Sequence, residues 1–279
     1  MINVESLGFR YPSAKRAALE DITFTVQAGE TVALIGCDNS GKSTLLCLMA
    51  GLAPQLLKGE RRGKLQIAGI DPCASPPEIR LRKVGIVFSD PSSQITGICP
   101  SVEEEIAWSL GNLGVNSEQM HLRVEAVIQR LHLEDIRGCA PWKLSSGQQQ
   151  LVAAAAAFAL DPQVLLFDEP LDNLDAISRR ALVSLALETA ESGHTVIWAA
   201  PSLEHVAGFS RWIYLDQGRI VYDGPPHWLG GSSALPAPWT RLAQRALNRG
   251  LWSGPLPLRE DEAAEGFRAY TTNHGHHNA

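Results

Sequence analysis

What this chain has little of narrows its class first. Its five cysteines, at 37, 47, 73, 99 and 139, are scattered, and no two form a C-x-x-C pair. That excludes a zinc site written in ligand spacing and a dense disulfide framework, and it suits reduced thiols in the cytosol. Long apolar runs are missing too. The longest, 151–160, has ten residues, half of the roughly 20 that a helix needs to cross a bilayer. The opening residues Met1-Ile2-Asn3-Val4-Glu5 have neither a basic region nor an apolar stretch, so no signal peptide is expected. Any membrane role is therefore expected to come through a partner. Basic charge is not in excess, since 24 Lys and Arg stand against 30 Asp and Glu. That speaks against binding nucleic acid by bulk electrostatics. Internal repeats are absent. Apolar residues, by contrast, are plentiful: at 45% of 279 residues they can build a substantial core, which excludes a disordered chain. The length fits one large domain or one domain with an appendage.

Strands are expected at 2–9 and 19–27, around the turn-rich Pro12-Ser13-Ala14, and at 31–35, a β-branched run that stops at Gly36. A helix from about 42 to 50 follows, then strands at 64–68 and 84–88. Ser101-Val102-Glu103-Glu104 fits a capping box, with Ser101 accepting from the Glu104 amide and the Glu104 side chain reaching back. It should open a helix to about 113, and 121–131 is a second. Apolar runs at 164–167 and 195–199, with helix-like stretches between them, argue for a mostly parallel sheet covered on both faces. Asp216-Gln217-Gly218 between 212–215 and 219–222 signals a hairpin. Beyond Gly224 the prolines and glycines of 225–238 mark a linker. A helix at about 239–248 and a disordered end at 273–279 are expected there.

Two motifs carry chemistry. Gly36-Cys37-Asp38-Asn39-Ser40-Gly41-Lys42-Ser43-Thr44 meets the Walker A pattern. Its backbone amides can cradle phosphates at a helix N-terminus, where unpaired N–H groups and the dipole favour anions. Lys42 would reach the β- and γ-phosphates of ATP, and the Ser43 hydroxyl would ligate Mg²⁺. The plainer alternative, a tight turn with an exposed lysine, is disfavoured by the strand before it and the helix after it. Asp168 ends an apolar strand, so its carboxylate can hold Mg²⁺ beside that loop. Glu169 is placed to polarise the attacking water as a general base. Alone, paired acids after a strand would merely start a loop; in register with Walker A they gain a role.

Leu144-Ser145-Ser146-Gly147-Gln148 lies shortly before that pair, and Leu171-Asp172-Asn173-Leu174-Asp175 directly after it. Read alone, Ser-Ser-Gly-Gln is an ordinary helix N-cap. In this order the motifs resemble the nucleotide-binding subunit of an ATP-binding-cassette (ABC) transporter over about residues 1–228. The fold implied is α/β: a P-loop NTPase (RecA-like) core, an antiparallel β subdomain, an α-helical signature subdomain at about 90–160, and a small C-terminal extension at 229–279. The resemblance implies that Ser145, Ser146, Gly147 and Gln148 face ATP on the opposite subunit. It implies that Asp175 is the D-loop acid and that Tyr11 stacks on adenine, although a core tyrosine is the alternative for Tyr11. Within the family the block Val84–Phe88, Asp90–Ile95 and Ser101–Ala107, with tail segments such as Trp239-Thr240-Arg241-Leu242, resembles the ATPases of energy-coupling factor (ECF) transporters. Those import vitamins or transition-metal ions such as cobalt and nickel.

The departures from the family pattern are systematic. The family has a glutamine after Phe88 that contacts Mg²⁺ and the attacking water; here it is Ser89, and Gln94 matches a different family position. The family has a histidine after the 195–199 strand that contacts the γ-phosphate; here it is Pro201, which has neither a side-chain donor nor an N–H. His194 and His205 are out of register and are expected to be solvated surface histidines. Asn39, Ser146 and Asn173 replace glycines, and Asn39 tolerates φ > 0. Since each ATP site in the family is shared between two subunits, the losses at Ser89 and Pro201 weaken the chain's own site, while what it lends to a partner is nearly intact. A degenerate member of an asymmetric pair is therefore expected, a heterodimer in preference to a homodimer, peripheral on the cytoplasmic face of the inner membrane. A regulatory subunit without turnover and a soluble non-transport ABC ATPase are the alternatives. No nucleic-acid partner is implied. The groove for an integral-membrane subunit is expected near 89–106, with Trp108 either lining it or packed in the core.

Overall fold

The computed structural model describes residues 1–201, 206 and 208–226, with 246, 249 and 265 as single residues. His205, the expected end at 273–279 and, apart from 225, 226 and 246, the expected linker and C-terminal helix lie outside the described residues. The elements run β1 (Ile2–Arg10), β2 (Leu19–Val26), β3 (Thr31–Ile35), α1 (Lys42–Met49), β4 (Glu60–Ile67), α2 (Pro77–Leu81) and β5 (Val84–Val87). They continue with α3 (Val102–Asn112), α4 (Ser117–Arg130), α5 (Ser146–Ala159), β6 (Val164–Asp168), α6 (Ala176–Glu191), β7 (Thr195–Ala200), β8 (Arg211–Asp216) and β9 (Arg219–Gly224).

Two sheets organise the described residues. A three-stranded antiparallel sheet has the order β2-β1-β4, and a six-stranded sheet has the order β5-β6-β7-β3-β8-β9. In the larger sheet every neighbouring pair is parallel except the β8–β9 hairpin. All residues of β3, β6 and β7 are buried, as expected of central strands covered on both faces. The period of two then divides β3 between two cores. Ala33 and Ile35 face a core built with α3 to α6, and Val32 and Leu34 face one built with α1 and the antiparallel sheet. In the first core Phe158, Phe167, Trp198 and Phe209 form a run of ring contacts with centroids 5.7, 4.6 and 5.9 Å apart.

β1 shows why alternation alone misplaces side chains. Ile2 and Val4 are buried, but a register shift after Val4 moves the buried set to Leu7 and Phe9. One extra residue in a strand turns the following side chains over, and here it delivers Tyr11 to the strand's end beside Phe9. α3, α4 and α5 pack together; the Arg137 guanidinium joins Glu103 of α3 to Glu125 of α4.

Element boundaries differ from expectation where capping decides them. α4 begins at Ser117 rather than near 121, because Asn116 caps it by accepting from the Gln119 amide at 2.9 Å. The short α2 carried no periodic signal, and none of its residues is buried. At α3, Ser101 accepts from the Glu104 amide as expected, but the Glu104 carboxylate takes the Ser101 hydroxyl rather than its amide.

Candidate functional site

β3 is central in its sheet, so the loop after Ile35 opens at the carboxyl end of the strands, the usual binding edge of such sheets. Gly36 is required there, because a Cβ on it would lie 2.4 Å from both the Leu215 carbonyl oxygen and Ser40 Oγ. Asn39 adopts φ 61°, a conformation that asparagine accepts more readily than most residues. The Ser40 carbonyl accepts the Gly218 amide at 2.9 Å, and the Gly218 carbonyl accepts the Glu20 amide at 2.8 Å. The turn of the β8–β9 hairpin thus buttresses the phosphate loop. α1 starts without a side-chain cap, which leaves its first amides open to an anion.

Lys42 is only 4% exposed. Its Nζ donates to the Gly36 carbonyl at 2.7 Å and the Cys37 carbonyl at 3.1 Å, and it pairs with Glu169 Oε1 at 3.1 Å. An ammonium has three donors, so all are engaged. Ser43 Oγ donates to Asp168 Oδ1 at 3.0 Å. Burial pushes the Asp168 carboxyl above its ordinary value; the neighbouring Glu169 adds to that, while the Ser43 hydrogen bond and Lys42 oppose it. The same burial, with Asp168 nearby, pushes the Cys47 thiol up to about 11. Glu169 itself sits at φ 51° and donates its amide to the Ala199 carbonyl at 3.1 Å. The Tyr11 hydroxyl lies 3.1 Å from Thr44 Oγ1, and its ring meets Phe9 edge-on at 4.9 Å. Tyr11, the 36–44 loop, Asp168 and Glu169 therefore form one group.

This group suits a magnesium nucleotide. The loop is tight enough to admit only glycine at 36. Ser40 Oγ is buried with no partner. Ser43 and Asp168 offer paired oxygens, the donor type a hard divalent cation takes.

The remaining predicted residues form a second group. Ser145 caps α5, accepting from the Gln148 amide at 3.3 Å while Gln148 Oε1 accepts the Ser145 amide at 3.0 Å. The N-cap reading and the signature motif are therefore the same structure. A Cβ on Gly147 would lie 2.5 Å from the Asn173 carbonyl oxygen, so the signature turn rests on the 171–175 segment. Ser146 is exposed beside it. Asp175 caps α6, taking the amides of Ile177 and Ser178 at 2.9 Å each. These backbone bonds hold its carboxyl below the ordinary value.

Residues 19–172 match the family model for ABC transporters. The chain belongs to the ABC transporter family. Its relatives include the cobalt import ATP-binding protein CbiO of Syntrophus aciditrophicus, 33% identical over 81% of this chain and 79% of that protein. The energy-coupling factor transporter ATP-binding protein EcfA1 of Geobacillus kaustophilus is 32% identical over the same shares. Other relatives carry only the general description of ABC transporter ATP-binding protein. Among solved structures, cbiO1 from Clostridium perfringens superposes with a TM-score of 0.69 at 25% identity, covering 90% of this chain and 93% of that one.

In this ABC cassette both ends of the Gln94 amide hold the backbone at the end of β5. Its Oε1 accepts the Phe88 amide at 2.7 Å, and its Nε2 donates to the Ile86 carbonyl at 2.9 Å. Ser89 and Pro201 are half-buried; Ser89 is the second residue after β5 and Pro201 the first after β7. His194 is not simply solvated, as expected from sequence: it is half-buried, with Nε2 3.0 Å from Asp161 Oδ1. Sequence reasoning missed two buried polar residues of the helical part. Glu105 of α3 takes the amide and hydroxyl of Thr96, and Gln150 of α5 donates to the Phe88 carbonyl at 2.7 Å. The signal for Gln150 was available, since it directly precedes the apolar run of 151–160.

Proposed function

We propose that this cassette is the ATP-binding and ATP-hydrolysing subunit of a membrane importer of the ECF type, for a vitamin or for cobalt or nickel, and that it is the degenerate half of an asymmetric ATPase pair. One observation carries the reading. Lys42, Ser43, Asp168 and Glu169 stand together with mutual contacts of 3.0–3.1 Å, while the two flanking strand ends carry Ser89 and Pro201. Lys42 and the loop amides would hold the phosphates, Ser43 and Asp168 the Mg²⁺, and Glu169 would orient the attacking water. Bound Mg²⁺ supplies neutralisation of charge on the transferring phosphate. Tyr11, at the rim of the loop, would meet the base. Ser145, Ser146, Gly147, Gln148 and Asp175 are exposed or half-exposed, which suits presentation to the nucleotide of a second cassette. The names of CbiO and EcfA1 support the importer class.

No helix among the described residues is long and apolar enough to cross a membrane, so a membrane subunit would supply the passage and the cassette would bind at its inner face. Ile98, Ala107, Trp108 and Met120 line an open apolar cavity of about 420 Å³ beside the 89–106 segment, and Trp108 is 41% exposed. This favours the groove over the core for Trp108.

The test is an ATPase assay on the chain alone, on the chain with a complete partner cassette, and on a Glu169→Gln control. The expected outcome is ATP binding in all three and appreciable turnover only with the partner. Turnover by the chain alone at about 1–100 s⁻¹, the range of efficient phosphoryl transfer, refutes the degenerate role. A regulatory subunit with no turnover is the second reading, favoured by Pro201, and it is distinguished by absence of stimulation with any partner.

A further inference from the structure

We infer that Gln150 is a positioning residue that couples the signature turn of α5 to the nucleotide edge of the chain's own sheet. Its side chain is completely buried. Nε2 donates to the Phe88 carbonyl at 2.7 Å, while Oε1 has no partner. A buried acceptor left unmade is costly, so packing alone favours an apolar residue at 150. What the amide gains is a hold on Phe88.

That hold is one half of a clamp. The Phe88 amide is taken by Gln94 and its carbonyl by Gln150, so side chains from two elements fix both polar groups of one peptide residue. Phe88 directly follows β5, whose last pairing is Val87 with Phe167. The next residue on β6 is Asp168, whose carboxylate accepts the Ser43 hydroxyl. The carbonyl held by α5 is thus one register step from the carboxylate held by the phosphate loop. The next residue on β5's side is Ser89. At the other end, Gln150 lies two residues beyond Gln148, which closes the capping box on Ser145. A contiguous chain of contacts therefore runs from Ser43 through Asp168, the β5–β6 ladder and Phe88 to Gln150 and Ser145. Binding that shifts Asp168 or Ser89 moves the carbonyl to which α5 is tied, and so changes how the signature is offered to a partner.

The inference rests on the proposed nucleotide reading, and its test separates the two. Hydrogen–deuterium exchange of the full chain is measured with and without ATP and Mg²⁺, alongside ATP binding by equilibrium dialysis. The variants are Gln150→Met, which keeps length and loses the donor, and Gln150→Leu should the first not fold. In the wild type, ATP is expected to slow exchange at 86–89 and at 145–150 together. In the variant, ATP affinity and the response at 86–89 should persist, while the response at 145–150 falls about fivefold, the size one hydrogen bond carries. An equal response at 145–150 in variant and wild type overturns the inference. So does a wild type that binds ATP without any response there. A wild type that does not bind ATP overturns the nucleotide reading and takes the inference with it.

Discussion

At the scale of single residues, the nucleotide group balances stability against use. Lys42 and Glu169 satisfy each other before any phosphate arrives, so an incoming triphosphate must displace the carboxylate. Lys42→Ala removes the cation and leaves Glu169 unpaired; ATP binding is expected to fall at least about a hundredfold, roughly the loss of two charge-assisted hydrogen bonds, measurable by equilibrium dialysis. Asp168 is a clearer case. Its folded carboxyl value lies above the unfolded one because burial dominates. A raised acid makes the folded state the tighter proton binder, so its cost is present above the folded value and is relieved as pH falls towards the unfolded value. Asp168→Asn removes the charge, and Asn can still accept from Ser43. The nucleotide-free chain is expected to melt about 2 °C higher at pH 7, while Mg²⁺ no longer strengthens ATP binding. A lower melting temperature would show that the carboxylate is stabilising as it stands.

At the scale of elements, local chemistry sets where helices begin, and much of it was legible. The α5 start was visible because Ser145-Ser146-Gly147-Gln148 reads as a helix N-cap, and the structure adds that it closes as a capping box. Ser145→Ala is expected to cost about 1 kcal/mol and lower the melting temperature by about 3 °C. It should also reduce turnover at a partner cassette's site without changing ATP affinity at this chain's own. The parallel sheet was legible because β3, β6 and β7 are uninterrupted apolar runs, which only double coverage explains. The α4 start was missed although its signal is local, an asparagine cap three residues before its donor. What else stayed hidden depends on neighbours distant in sequence: the bulge in β1 answers to β2 and β4. Gln94 and Gln150 matter because they converge on Phe88 from different elements. The residues of the phosphate group were legible one by one, but their closure by a lysine–glutamate pair was not, since spacing says nothing of which acceptor an ammonium meets.

At the scale of the whole molecule, an asymmetric pair has a distinct signature in function. Glu169→Gln in this chain is expected to reduce the turnover of the assembled complex by less than about threefold. The equivalent change in a complete partner should abolish it, since a lost general base costs about 10²–10⁴-fold. Steady-state ATPase rates of the two singly substituted complexes decide the matter, and equal losses would assign both sites the same work.

The central place of β3 also bears on how the protein is made. Its partners in the sheet are β7 and β8, and its phosphate loop leans on Gly218. A strand completed near residue 35 therefore waits for residues synthesised some 160 positions later. During translation the first motif to leave the ribosome is among the last to be built. A nascent chain stalled before Trp212 would carry the whole Walker sequence and yet lack the buttress that shapes it.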